Sequence, residues 1–314
     1  FMCDLGTLRE SIGSDFFTYL TADLTHKRAM KGFNAVPNAA DWRKVVAVNN
    51  ASDFKFQNAI RTAGYSSLES VPENGPYKIK TMADERARYK IAKYGNLESW
   101  SLEAQANDEL GRLGRSSERM GGAAMRTLVS FVFETLIAAN PTLTYDSVAL
   151  FHSTHANNLG ATKPLNPANL EAAWALMRNQ TGLGGEKIDV RPRFLLVHPD
   201  EEVLAATIVN STNLRDITAA AGGFGEANFW KGRLEVIACP FLASSPDAWY
   251  LIGDPNVYDT IEIGFYRGVE NPETFVEPKG SAAEFEMDAM RTKTRFIFGG
   301  TVLDHRAFVR ANVA

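Results

Sequence analysis

The segment from residue 53 to residue 100 constrains the fold most, because its apolar and charged residues alternate with a period of two. Such alternation is typical of half-buried β-strands that have one apolar face and one wet face. A turn signal at residues 73–76 (Glu-Asn-Gly-Pro) separates two strand-like arms. The apolar residues of the pattern are Phe54, Phe56, Tyr77, Ile79, Ala87, Tyr89 and Ile91, and the last three alternate with Arg86, Arg88 and Lys90.

This two-armed segment is far longer than the ~4–6 residues of an ordinary loop. Because a two-stranded hairpin is marginally stable in water by itself, the apolar stripe needs a partner surface, and we predict that a neighbouring subunit supplies it. Our candidates for inter-subunit contact are Phe54, Phe56, Tyr77, Ile79, Arg86, Arg88 and Lys90. The basic side chains are interleaved with Asp84 and Glu85 and lack stacking aromatics on their face, which favours salt bridges to an adjacent subunit over nucleic-acid binding.

Composition excludes several classes of protein. The chain has 314 residues, is 45% hydrophobic and carries a net charge of −4, so it can build a large core but has no basic field to recruit nucleic acid. That argues against a DNA-binding protein, although it does not exclude a shell that encloses DNA. No apolar run reaches membrane-spanning length, and residues 1–24 show no signal-peptide pattern. Cys3 and Cys239 are expected to be free thiols.

The strongest helix prediction covers residues 116–139, where apolar residues follow helical spacing up to Asn140-Pro141. Gly121-Gly122 would weaken its first half or permit the close approach of another backbone. A second helix is predicted to begin at Asn166, with Pro167 in its first position. A short helix around residues 16–24, an extended stretch at 34–37 and a β-rich tail from residue 261 complete the prediction.

Four motifs resemble chemical sites but lack what each kind of site requires. His152 and His155 have metal-like spacing, but a zinc site needs at least three protein ligands. The Gly-rich run at 222–225 lacks the strand and helix of a phosphate-binding loop. Cys239 is predicted to be a small buried hydrophobe, and residues 304–306 (Asp-His-Arg) a polar cluster at a strand end. We therefore predict no enzyme activity, no cofactor and no metal, with a metal-dependent hydrolase built on the two histidines as the alternative.

The order of short motifs along the chain resembles that of tailed-phage major capsid proteins, and more closely the Mu-like major head subunits. The similarity runs over nearly the whole chain, and the number and order of the motifs make it specific. The motifs are Ser14-Asp15-Phe16, Asp53-Phe54-Lys55, Glu73-Asn74-Gly75, Tyr94-Gly95, residues 107–110 (Asn-Asp-Glu-Leu), Leu150-Phe151-His152, His155-Ala156-Asn157, residues 192–197, residues 249–252, Asp254-Pro255, Phe298-Gly299 and Asp304-His305-Arg306.

This resemblance implies the α+β Hong Kong ninety-seven (HK-type) capsid fold, which has an N-terminal arm, an extended β-hairpin loop, a peripheral domain with a long spine helix, and an axial domain. Residues 1–45 would form the arm, 46–100 the extended loop, 101–144 the peripheral domain with its spine helix, 145–244 the axial domain and 245–314 the return strands of the peripheral domain. A loop near the capsomer centre would contain Phe224, Phe229 and Trp230.

The function implied by the resemblance is that of a structural subunit that assembles into hexamers and pentamers of an icosahedral shell around the double-stranded DNA of a tailed phage. Expected partners are further copies of the chain, a portal, a maturation protease or scaffold, possible cement proteins, and packaged DNA held without sequence specificity. No membrane partner is expected. The protein would reside in the virion and assemble in the host bacterial cytoplasm. The alternative with the same fold is an encapsulin-type nanocompartment shell.

Overall fold

The structure is a computed structural model. It describes residues 14–37, 40–62, 70–75, 77, 84–101, 103–104, 107, 113–214, 226–242, 247–277, 286 and 288–312. Ile79 and Phe224, two of the predicted contact residues, lie outside these ranges, as does the Gly-rich run at 222–225. The described residues form a mixed α+β fold, which confirms the predicted class.

The helices within the described residues are α1 (Ser14–Asn34), α2 (Trp42–Val45), α3 (Leu113–Ser130), α4 (Pro167–Arg178) and α5 (Glu202–Asn210). The strands are β1 (Val46–Ala51), β2 (Gln57–Thr62), β3 (Asp84–Tyr89), β4 (Ala92–Ser101), β5 (Pro192–Val197), β6 (Asn213–Leu214), β7 (Glu226–Ala227), β8 (Glu235–Ala238), β9 (Ala248–Gly253), β10 (Ile261–Tyr266), β11 (Glu273–Val276), β12 (Ala289–Val302) and β13 (Phe308–Asn312). One sheet has the order β1-β10-β12-β11, with β4 also paired to β12. A second sheet has the order β13-β9-β5-β8, and β2-β3 and β6-β7 form two-stranded ribbons.

The predicted long helix is present and continuous. Helix α3 passes directly into a π-helical stretch, Phe131–Ala138, in which the Ala139 N–H donates to the Glu134 carbonyl five residues earlier. By length and composition alone, the helix from Arg115 to Ala138 could cross a membrane. However, 56% of that apolar window is buried inside the fold, as in the core helix of a globular protein.

The described residues divide into two compact units, and the first comprises the described parts of residues 1–39, 92–128 and 265–298. In this unit α1 crosses α3 where both helices carry glycine. A Cβ atom on Gly32 would lie 1.8 Å from the Glu118 carbonyl oxygen, and one on Gly121 would lie 1.9 Å from the Ala29 carbonyl oxygen. Since only glycine allows backbones to approach so closely, the close approach predicted for Gly121-Gly122 is confirmed.

The sheet of the first unit pairs β12 antiparallel with both β4 and β11. Phe296 on β12 is buried and meets the ring of Phe33 on α1 edge-on, with 5.8 Å between ring centroids. Phe265 stacks on Phe296 at 5.7 Å. Because aromatic rings bury large areas, this cluster joins the N-terminal helix to the sheet.

The second unit comprises the described parts of residues 40–91, 129–264 and 299–314. Its four-stranded sheet carries α4 and α5, and their apolar faces share one core with β5 and β9. Helix α4 begins as predicted, because the Asn166 side-chain oxygen accepts a hydrogen bond from the Asn169 N–H at 2.7 Å and Pro167 follows the cap. All six residues of β9 are buried, as expected for a strand with both faces covered.

Two local predictions were wrong. The stretch at residues 34–37 is not extended, because Asn34 ends α1 and a turn follows. The first strand of the arm does not contain Phe54 or Phe56 but begins at Gln57. The reason lies in Asp53, whose carboxylate accepts from the Lys55 N–H at 3.1 Å and from the Gln57 side chain at 2.9 Å. Such local bonds to an Asp side chain favour a turn over a strand.

Candidate assembly surface

The β2–β3 hairpin has two different faces. Residues paired across an antiparallel ribbon point to the same side, and Ile60 pairs with Arg86 whereas Ala59 pairs with Ala87. On the first side Ile60 is 66% exposed, and Arg86 and Arg88 are exposed as well. On the opposite side Ala87 is buried. The alternation predicted for β3 is therefore confirmed.

The buried face of the hairpin packs against the same chain, which corrects the expectation that a neighbour covers it. Tyr89 is 5% exposed and its hydroxyl donates to the Glu262 carboxylate at 2.7 Å. Burial, and then this carboxylate, raise the pKa of Tyr89. A Cβ atom on Gly264 would lie 2.6 Å from the Tyr89 hydroxyl oxygen, so the site requires glycine. Ala87, Tyr89 and Ile91 thus form a built-in anchor for the hairpin.

The apolar groups that remain exposed lie elsewhere on the arm. Phe56 is 64% exposed, Ile60 is 66% exposed and Tyr77 is 86% exposed. Phe54 is half-buried, and Lys90 is exposed beside the anchor. Exposed apolar side chains of this size are able to contact a partner, so Phe56 and Tyr77 stay predicted contact residues. We call Phe56, Ile60 and Tyr77 the apolar tip set.

A chain of opposite charges links the hairpin to the C-terminal segment of its own unit. Arg61 on β2 forms ion pairs with Glu85 on β3 and with Asp304, and its guanidinium lies 5.8 Å from the centre of the Tyr145 ring. Asp304 also pairs with Arg306 at 3.1 Å. The predicted polar cluster at residues 304–306 is therefore present, and the structure shows that it holds the arm.

Two histidine rings stack beside this charge chain. The rings of His155 and His305 are 3.9 Å apart and nearly parallel. His155 contacts the Leu150 carbonyl through Nδ1 at 3.0 Å and the Asp146 carboxylate through Nε2 at 2.7 Å. The Tyr145 hydroxyl and Nδ1 of His305 form a hydrogen bond at 2.7 Å. Burial, followed by the charges of His155 and the nearby arginines, lowers the pKa of His305 to about 2, so its ring is neutral.

Asp146, His155 and His305 offer ligand atoms within 4.8 Å of one another, yet their geometry does not suit a metal. Both nitrogens of His155 already face oxygen partners. The two imidazoles are parallel, so their lone pairs run side by side instead of converging on one ion. The pair His152 and His155 does not suit a metal either, because Nδ1 of His152 is bonded to the Thr154 hydroxyl at 2.9 Å.

Cys239 is 1% exposed, and burial raises the pKa of its thiol to about 11. A nucleophilic cysteine requires the opposite, a lowered pKa in an accessible setting. The geometry supports the prediction that Cys239 is a buried hydrophobe.

The predicted axial-loop residues separate into two kinds. Trp230 is 4% exposed and packs in the core of the second unit, so its side chain offers no contact surface. Phe229 is 51% exposed, and its ring lies between Trp174 and Arg233, whose guanidinium is 3.9 Å from the ring centre. Phe229 therefore stays a predicted contact residue.

The structure also reveals an apolar patch that the sequence did not indicate. In the first unit Leu97 of β4, Lys293 of β12 and Phe275 of β11 lie side by side in register on one face. Leu97 is 64% exposed and Phe275 is 41% exposed, and the Lys293 ammonium lies 5.0 Å from the Phe275 ring centre. The sequence reasoning assigned Leu97 to the arm, and no sequence signal pairs it with a phenylalanine so far along the chain.

A model of the phage capsid protein family matches residues 84–311, which is most of the chain. The chain belongs to the phage capsid protein family. Its role is that of a structural shell protein, and the phage-capsid prediction is confirmed, whereas the encapsulin alternative is not favoured. No curated protein sequence matches this capsid protein.

Solved structures agree with this assignment at the level of the fold. This capsid protein is 15% identical to a structure from Gordonia phage Cozz, with a TM-score of 0.56 over 88% of this chain and 86% of that one. It is 12% identical to the capsid of the cyanophage P-SCSP1u (TM-score 0.56, 87% and 88% covered). It is 10% identical to the capsid of a native GTA particle (TM-score 0.59, 89% and 92% covered).

Proposed function

We propose that this capsid protein assembles into hexamers and pentamers of an icosahedral tailed-phage head, and that its arm docks on a neighbouring subunit through the apolar tip set. The observation that carries this proposal is the exposure of Phe56, Ile60 and Tyr77 on an arm whose opposite face is anchored to its own chain. Covering these side chains with a neighbouring subunit would remove apolar surface from water, which is favourable.

Covering the apolar tip set would contribute favourably to assembly. Burying one Phe or Ile side chain contributes roughly 1.5–3 kcal/mol. Each subunit in a ring both donates an arm and receives one, so the contact repeats around the ring. Arg86, Arg88 and Lys90 lie exposed around the tip set and would steer docking on an acidic rim of the neighbour.

The remaining assignments extend this proposal. Residues 1–45 serve as the arm at the N-terminus, 46–100 as the extended loop, 101–144 and 245–314 as the peripheral domain, and 145–244 as the axial domain with Phe229 near the capsomer centre. The support for fivefold rings is that the GTA capsid with the same fold was computed with C5 symmetry. The proposed partners beyond the chain itself are a portal, a maturation protease or scaffold, and cement proteins, with assembly in the host cytoplasm.

Packaged DNA is proposed to lie inside the shell without tight binding. A net charge of −4 gives no overall attraction for phosphate, which suits a container that must release its genome. Particles purified from infected cells should contain DNA that becomes nuclease-sensitive when the shell is opened. Particles filled with a protein cargo instead would favour the nanocompartment.

The test of arm docking is a pair of matched double variants. Phe56→Ser with Ile60→Ser removes most of the tip set, and Val203→Ser with Val257→Ser removes two side chains that are 78% and 66% exposed outside the arm. Negative-stain electron microscopy and sedimentation should show closed shells for the wild type and the control, and only free subunits or small rings for the arm variant. Normal shells from the arm variant would refute arm docking.

A further inference from the structure

The charge chain that joins the hairpin to residues 304–306 alternates in sign through four side chains: Glu85, Arg61, Asp304 and Arg306. All four are largely shielded from water, with the Arg61 side chain 17% exposed and that of Asp304 13% exposed. The carboxylates that meet Arg61 come from two separate segments, one inside the hairpin and one near the C-terminus. An arginine can bind both at once because its planar guanidinium presents a fork of donors.

The hairpin is therefore held at two points on the same face. The first point is Tyr89, bonded to Glu262, and the second is Arg61, paired with Asp304. Tyr89 pairs with Gln57 and Arg61 pairs with Glu85, so the two points lie four residue pairs apart in the ribbon. At ~3.3 Å per residue they are separated by about 13 Å along it.

Two strong attachment points fix the direction of the hairpin relative to its own subunit, whereas a single one would let the hairpin rotate about it. We propose that Arg61 is a positioning residue that fixes the direction in which the hairpin leaves its own subunit, so that the apolar tip set arrives at the neighbour correctly oriented. Ile60 adjoins Arg61 in β2 and points to the opposite face, so locking Arg61 inward also locks Ile60 outward. This inference rests on the proposed docking of the arm.

A second contact agrees with this role. The Arg88 N–H donates to the Thr144 hydroxyl at 3.0 Å, and Thr144 adjoins Tyr145, whose ring lies beside the Arg61 guanidinium. Residues 144–145 thus touch both strands of the hairpin. Removing Arg61 would leave only this single neutral hydrogen bond to resist rotation of the hairpin about the Tyr89 anchor.

The test measures the direction of the hairpin in the unassembled subunit. Spin labels are placed on Ile60→Cys, which is exposed on the hairpin three residue pairs from the Tyr89 anchor, and on Val257→Cys, which is exposed on the body of the same unit, in a Cys3→Ser background. Cys239 is buried and stays unlabelled. Pulsed electron paramagnetic resonance should give one narrow distance distribution for this parent protein.

The decisive variant is Arg61→Met with Glu85→Gln. It removes both ion pairs of Arg61, leaves Asp304 paired with Arg306, and leaves no carboxylate without a partner. We expect its distance distribution to broaden at least twofold and its yield of closed shells, measured without labels, to fall at least tenfold. The matched control is Arg178→Met with Asp189→Asn, an ion pair whose side chains are each 46% exposed, and it should change neither readout.

The outcomes distinguish the positioning role of Arg61 from the docking of the arm on a neighbour. An unchanged distance distribution in the Arg61 variant would overturn the positioning role, whatever happens to assembly. A broadened distribution with normal shells would show that the direction does not matter for assembly, which overturns the inference but leaves arm docking to its own test. Arg61→Lys keeps the charge without the fork, and its distribution should fall between those of the parent and the decisive variant.

Discussion

The helix crossing in the first unit gives the sharpest quantitative prediction. Replacing Gly121 with alanine would place a Cβ atom 1.9 Å from the Ala29 carbonyl oxygen. An ordinary carbon–oxygen contact is ~3.3 Å or longer, so α1 and α3 would have to separate by about 1.4 Å. The obstacle is backbone rather than the end of a flexible side chain, so no rotamer change relieves it. Neighbouring Gly122 offers a control one residue away in the same helix.

The two substitutions should change the free energy of unfolding in opposite directions. Each gains about 1 kcal/mol of helix propensity from replacing glycine with alanine. At Gly121 the overlap costs about 3 kcal/mol, the upper part of the range for overpacking, and leaves a net loss of about 2 kcal/mol. At Gly122 the nearest atom is the Arg126 guanidinium at 3.3 Å, which can move, so the gain of about 1 kcal/mol remains.

Urea unfolding of the unassembled subunit measures both variants, and hydrogen exchange on peptides from α1 and α3 locates the effect. We expect Gly121→Ala to lower the free energy of unfolding and to speed exchange in α1, where Ala29 and Phe33 are buried. Gly122→Ala should leave exchange in α1 unchanged. If Gly121→Ala were as stable as Gly122→Ala, the close crossing would be refuted.

Three further predictions follow from the second unit. Gly264→Ala should lower the free energy of unfolding by about 1–3 kcal/mol through overlap with the Tyr89 hydroxyl, and Tyr89→Phe in the same background should restore part of the loss, as urea unfolding would show. The pKa of His305 falls from 6.5 to about 2 on folding, so its neutral form contributes stability above pH 6.5 that is lost as the pH falls towards 2. Between pH 7 and pH 5 the free energy of unfolding of the wild type should therefore fall by up to about 2 kcal/mol more than that of His305→Asn. Equal losses in the two proteins would contradict this assignment. In a Cys3→Ser background, Cys239 should react with a thiol reagent only at the rate of unfolding, and fast reaction in the folded subunit would disprove its burial.

The sequence by itself determined the elements whose signals are local. The spacing of apolar residues and the stop at Asn140-Pro141 predicted the long helix, and the Asn166 cap with Pro167 predicted the start of α4. Alternation in β3 correctly separated buried Ala87 and Tyr89 from the exposed arginines. The ordered motifs also gave the capsid family, because each motif is read directly from neighbouring residues.

Tertiary structure alone decided which apolar surfaces are already covered and which are free. Periodicity shows that a strand has an apolar face, but not which partner covers it, so the sequence could not distinguish a neighbour from Glu262 and Gly264 of the same chain. The pairing of Arg61 with Asp304 and the stacking of His155 on His305 likewise join segments far apart in sequence. Such contacts depend on how the whole chain packs, and no local pattern encodes them.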